Sequence, residues 1–190
     1  MLWQQGNYEQ ATMAFKNASH NHSIANTYSD AIKNTQRQPL SKLAQKLQGL
    51  NENCAQQLQF VATSLDSLVQ AISFRKQFKQ DRQLSQLPIC INKVVWLDEN
   101  ELSCEKMSER KVCDLTELAS QSFTPSYTHL VLFLDEGKGY VQNGVMYLDE
   151  ADAYTVFVHE LAHFVGFVDE YSVPSTLASQ YCFNSSAPNL

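Results

Sequence analysis

His159, Glu160 and His163 are the residues of this 190-residue sequence whose types and spacing most plainly permit chemistry. They open the run HELAHFVGFVDEY (159–171), in which polar groups interrupt an otherwise apolar stretch. Four residues on an α-helix make one turn plus ~40°, with a rise of ~6 Å. Both imidazoles therefore leave the same face and can meet one metal ion at ~2.0–2.1 Å from each nitrogen. Glu160 points to the flank of that face, too far round to be an equal ligand but well placed to touch a water on the ion. A helix built only for the core would need a hydrogen-bond partner for every one of these buried polar atoms, a cost that packing alone does not offset.

Zinc in a catalytic setting takes a third protein ligand and keeps a fourth position open. Gly166 follows the second histidine by three residues, and a glycine tolerates the positive φ that ends a helix and turns the chain back. Asp169, three residues further on, brings a hard oxygen within reach of the same ion. Glu170 is adjacent and is the alternative third ligand; whichever of the two does not bind can anchor the turn or orient a histidine. Tyr171 can donate a hydrogen bond to a developing oxyanion or serve in packing. His20, His22 and His129 lack ligand spacing, and Cys182 suits a disulfide or a buried thiol better than a metal bond.

The pattern His159–Glu160–x–x–His163–x–x–Gly166–x–x–Asp169 resembles the extended zinc motif of the metzincin metallopeptidases, in the variant where Asp replaces the third His, as in the snapalysin family. The Asp169–Glu170–Tyr171 ending is also similar to that of IgA-peptidase-type metallopeptidases, where the spacing is one residue longer. The resemblance implies zinc held by His159, His163 and Asp169, with Glu160 as general base. Metzincins place a Met-containing turn beneath the metal, and here no methionine follows Met146. The C-terminal subdomain is accordingly expected to be minimal, missing, or supplied by chain outside this sequence.

The elements that must carry these residues fall into two stretches of different grammar. Residues 1–87 are rich in Gln, Asn, Ser and Ala and read as helical; from Leu87–Pro88 onward, residues 88–190, short apolar runs alternate with turn signals. Gly6, Tyr8, Ala11, Phe15 and Ala18 resemble a single tetratricopeptide helix pair, and a lone repeat must pack on something else. Leu43, Leu47, Leu50, Cys54, Leu58, Val61, Leu65, Leu68 and Ile72 recur every three or four residues and predict one long apolar helical stripe, the inner face of a hairpin or a partner-binding surface.

In the second stretch INKVVWL (91–97) and THLVLFL (128–134) read as buried strands. DLTELASQ (114–121) carries Asp and Glu in capping-box positions and predicts a short helix. YVQNGVMYL (140–148), with Asn143–Gly144, predicts a tight hairpin or one strand with a bulge. Asp149 and Asp152 then precede a helix running towards Gly166 that is apolar on nearly every side and so is expected to be buried. The fold class that follows is α+β: a helical N-terminal region, tetratricopeptide-like, and then a small zincin-like α/β domain with a mixed sheet and a buried active-site helix.

Composition bounds the partners. The chain is 44% hydrophobic and 18% charged with a net charge of −6, which argues against nucleic acid, and no apolar run approaches the ~20 residues needed to span a bilayer. MLWQQGNYEQ has neither the basic head nor the apolar core of a secretory signal. Five cysteines, none spaced as CxxC, fit two disulfides plus one free thiol or five reduced thiols. Cys104 and Cys113 bracket a polar loop where a bridge would help, which favours an oxidising, extracytoplasmic compartment over the cytoplasm.

Two functions from different classes follow. One is a zinc-dependent metallopeptidase acting on a peptide or protein substrate. The other is a non-catalytic zinc-binding scaffold or interaction module with a degenerate site, whose helical N-terminal region docks a protein partner.

Overall fold

The computed structural model describes residues 37–38, 54–97, 101–116 and 127–169. The tetratricopeptide-like segment, most of the helix expected over 114–121, and His20, His22, Glu170, Tyr171 and Cys182 lie outside them.

The first long described element corrects the sequence reading. Residues Gln56–Ala62 (QQLQFVA) form a strand, β2, where the apolar spacing predicts continuous helix. Leu58, Phe60 and Ala62 face the helical layer, while Val61 enters the core on the opposite side. A strand buried on both faces shows no clean period of two, and here its apolar residues happen to join a three–four spacing with Leu65. Two of the glutamines of β2, Gln57 and Gln59, are buried and bonded. Gln59 Nε2 donates to the carbonyls of Phe60 and Lys93, and Gln57 Nε2 to Asn92 Oδ1.

Helix α1, Leu65–Gln80, starts only after Ser64. That residue's hydroxyl accepts from the Ser67 N–H at 3.0 Å, while Ser67 Oγ accepts from the Ser64 N–H at 2.9 Å. This reciprocal cap satisfies two of the donors that a helix start leaves orphaned. A short 3-10 turn, Leu84–Gln86, leads to β3 (Ile89–Ile91) and β4 (Val95–Leu97).

The single strand expected over 91–97 is thus two, both parallel to β2. Leu58 pairs with Ile91 and Val61 with Val95, so one extra residue sits between them. Asn92 lies in that bulge, and its amide donates to Gln59 Oε1 at 3.2 Å.

Strand β7 (His129–Phe133) pairs in parallel with β2 on its other side, and β9 (Val145–Leu148) pairs in parallel with β7. β8 (Tyr140–Gln142) returns antiparallel to β9 through Asn143 at φ 52° and Gly144 at φ 77°. Two consecutive positive φ values make this the tight hairpin allowed by the Asn–Gly pair. With the short β1 (Arg37–Gln38) beside β4, the order is β1-β4-β2-β7-β9-β8, and β3 also pairs with β2. A separate hairpin, β5 (Cys104–Met107) and β6 (Arg110–Cys113), is closed by a Cys104–Cys113 disulfide. A second disulfide joins Cys54 to Cys90.

Helix α2, Tyr154–Phe164, shares one face of the sheet with α1. Phe157 meets Phe60 at 5.5 Å and Phe74 at 5.9 Å between ring centroids, so sheet and both helices close on one aromatic cluster. Leu102, Cys113, Tyr140 and Tyr147 cover the opposite face. The compositional change at Leu87–Pro88 falls in the connection to β3; β2 and α1 before it share this core with the elements after it. The described residues form a mixed α/β sheet with two helices, and no helix among them is long and apolar enough to cross a membrane.

Candidate metal centre

Helix α2 buries one side rather than its whole circumference. Phe157 and Leu161 reach the core, whereas the His159 side chain, two residues from Phe157, is 55% exposed. Its N-cap is Ala153 and provides no side-chain bond; Asp152 Oδ2 instead accepts from the Asp149 N–H, closing the turn that leads in.

The C-terminal end explains how a distant carboxylate reaches the histidines. Gly166 sits at φ 93°. Its N–H donates to the His163 carbonyl and the Phe167 N–H donates to the Ala162 carbonyl, each at 3.1 Å. That pair of bonds is the Schellman ending, which needs a left-handed residue between them. The chain therefore reverses within two residues and runs back past the face it has just left.

Two contacts follow from the reversal. His163 Nδ1 lies 2.9 Å from the Phe167 carbonyl oxygen. A carbonyl can only accept, so Nδ1 carries the proton and the neutral ring presents the lone pair of Nε2 outward. Asp169 Oδ1 lies 3.1 Å from His159 Nε2 and 3.4 Å from His163 Nε2.

These separations test the fit of a metal. Ligand atoms about 2.0–2.1 Å from a tetrahedral ion stand about 3.3–3.4 Å from one another. The two oxygen-to-nitrogen separations, 3.1 and 3.4 Å, are close to that spacing, and with one ring's tautomer fixed by a carbonyl behind it the cluster could hold a metal ion.

Glu160 is 7% exposed and belongs to the same cluster; ligand-capable atoms of His159, Glu160 and His163 lie within 4.8 Å of one another. Its Oε2 is 4.0 Å from His163 Nε2. Burial holds its carboxyl above the ordinary carboxylate range, against the opposing pull of His163 and His159.

Four of the residues singled out by spacing, His159, Glu160, His163 and Asp169, are thus brought together. His129 is elsewhere: its ring packs 4.3 Å from that of Phe164 and its Nδ1 faces Thr128 Oγ1 at 2.9 Å. Sequence reasoning missed two glutamines, one bonded to the turn that leads into α2 and one to the last residue of α2. Gln70 Nε2 donates to the carbonyls of Asp149 and Asp152 before the helix, and Gln56 Nε2 donates to the carbonyl of Phe164 at its end. Separations of 79 to 108 residues leave no local pattern to read.

No protein-family model matches the chain, and comparison with curated proteins and with solved structures finds no match.

Proposed function

We propose that this chain is a zinc-dependent peptidase of metzincin-like type, with His159, His163 and Asp169 as the metal ligands and Glu160 as the general base. The observation that carries the reading is the meeting of Asp169 Oδ1 with both imidazole nitrogens, at 3.1 and 3.4 Å, beside a buried carboxyl. A zinc ion held there supplies Lewis acidity, polarising a carbonyl and lowering the pKa of a water from ~15.7 towards ~7.

The chain's own residues do the rest. Glu160 takes the proton of the attacking water and returns it to the leaving amine. Its buried setting suits the first of these steps, because desolvation raises the carboxyl above its ordinary value and so makes it a better proton acceptor. His163, locked through Phe167, keeps its Nε2 lone pair aimed at the ligand position without reorganising.

The substrate is an extended peptide. β8 ends the strand order of the sheet, and α2 packs against β8 and β9. A peptide added to that edge gains main-chain hydrogen bonds and lies on the side of the sheet order nearest the strands that α2 packs against. The Cys54–Cys90 and Cys104–Cys113 bridges support the expectation of an oxidising compartment.

Glu160→Gln tests the reading. Zinc content and folding should be retained, and cleavage of a denatured protein or peptide library should fall by at least about 10²-fold, as for loss of a positioned acid–base group. An unmutated protein that binds one zinc and cleaves nothing would favour the non-catalytic zinc-binding module instead.

A further inference from the structure

Helix α2 is gripped at both ends by the same chemical group. Gln70, on α1, points its amide nitrogen at the carbonyls of Asp149 and Asp152, at 2.7 and 2.9 Å. Gln56, the first residue of β2, points its own at the carbonyl of Phe164, at 2.9 Å. The Oε1 atom of each is buried without a hydrogen-bond partner among the described residues. The nitrogen is thus the end each amide uses, since a flipped amide would set oxygen against a carbonyl oxygen.

The two grips differ in what they hold. A helix leaves its last four carbonyls without intrahelical partners. At the end of α2 the Gly166 turn takes up those of Ala162 and His163, and Gln56 takes up that of Phe164, the last helical residue. The peptide plane fixed by Gln56 therefore joins the helix to the turn that sets Phe167 behind His163 and Asp169 in front of both imidazoles. Gln56 is itself anchored. Its N–H donates to the Pro88 carbonyl at 3.2 Å, and two residues earlier Cys54 is bridged to Cys90.

We infer that Gln56 is a positioning residue of the metal centre: it orients the last turn of α2 so that the Asp169 carboxylate arrives in register with the two histidines. The inference rests on the metal-binding reading of the site. Without the donor, the Phe164 carbonyl is left half-buried and unpaired. The last turn then rotates to find another partner and takes the Gly166–Asp169 segment with it. Gln70 holds the opposite end of the helix and serves as an internal control of identical chemistry.

The test is zinc affinity of the full chain, measured by competition with a chromophoric chelator, alongside the unfolding free energy of the metal-free protein. Gln56→Met keeps the length and removes the donor; Gln70→Met does the same at the far end. Gln56→Met should weaken zinc binding about tenfold, as loss of an outer-shell partner does, while Gln70→Met should cost stability and leave zinc affinity within about twofold, inside measurement scatter for an uncoupled site. Wild-type affinity in Gln56→Met, or an equal loss in Gln70→Met, overturns the inference and leaves the metal reading standing. Failure of the unmutated chain to bind zinc sinks both.

Should Gln56→Met not fold, the unmutated protein still decides. Zinc should slow exchange of the Gln56 side-chain amide protons and leave those of Gln70 unchanged, and equal behaviour of the two contradicts the proposal.

Discussion

The Nδ1–H of His163 donates to the carbonyl oxygen of Phe167 across a 2.9 Å gap, so a residue four places downstream fixes the tautomer of a candidate ligand. The contact exists because Gly166 turns the chain left-handed, and the same turn delivers Asp169. One backbone conformation thus sets both the direction of a lone pair and the position of a carboxylate.

Gly166→Ala places a Cβ at φ 93°, where an L-residue pays roughly 1–2 kcal/mol. The metal-free variant should lose about that much stability in urea titration. Its zinc affinity should fall further than the stability change explains, because the relaxed turn misplaces Phe167 and Asp169 together. Gly166→Asn should fall between alanine and the parent, since asparagine visits this region more readily.

Asp169→Ala removes a proposed ligand and leaves the core untouched. Its zinc affinity should drop by more than the roughly 10–100-fold that loss of an outer-shell partner costs, while far-ultraviolet circular dichroism stays that of the parent. Unchanged zinc binding in this variant would hand the third position to another group, with Glu170 the first to examine.

The two disulfides should differ in worth. Cys54–Cys90 spans 36 residues and Cys104–Cys113 spans 9. Loop-closure entropy grows with the logarithm of length, so a fourfold longer loop makes the first bridge more stabilising by about 1 kcal/mol. Cys54→Ser with Cys90→Ser should lower the unfolding free energy more than Cys104→Ser with Cys113→Ser, by equilibrium denaturation. The reverse order would mean that strain or residual structure outweighs chain entropy here.

What was legible in the sequence was what is local. His159 and His163 share a helix face because four residues nearly complete a turn, and Gly166 announces the reversal that brings Asp169 back. The Asn143–Gly144 hairpin is equally a matter of adjacent residues.

What escaped was set by distant partners. β2 is a strand because β3 and β4 on one side and β7 on the other complete its hydrogen bonds, while the spacing of Leu58, Val61 and Leu65 fits a helix just as well. The break at Asn92 depends on two buried glutamines across the sheet. The helix expected to be wholly buried leaves His159 exposed, because apolarity all round records what a surface tolerates and not which neighbours reach it.

The central claim is most directly tested by diffraction from zinc-soaked crystals at wavelengths on either side of the zinc absorption edge. The account predicts one anomalous peak per chain, within about 2.0–2.2 Å of His159 Nε2, His163 Nε2 and an Asp169 carboxylate oxygen. A peak bound by other residues, or none at these three with the protein folded, would contradict it.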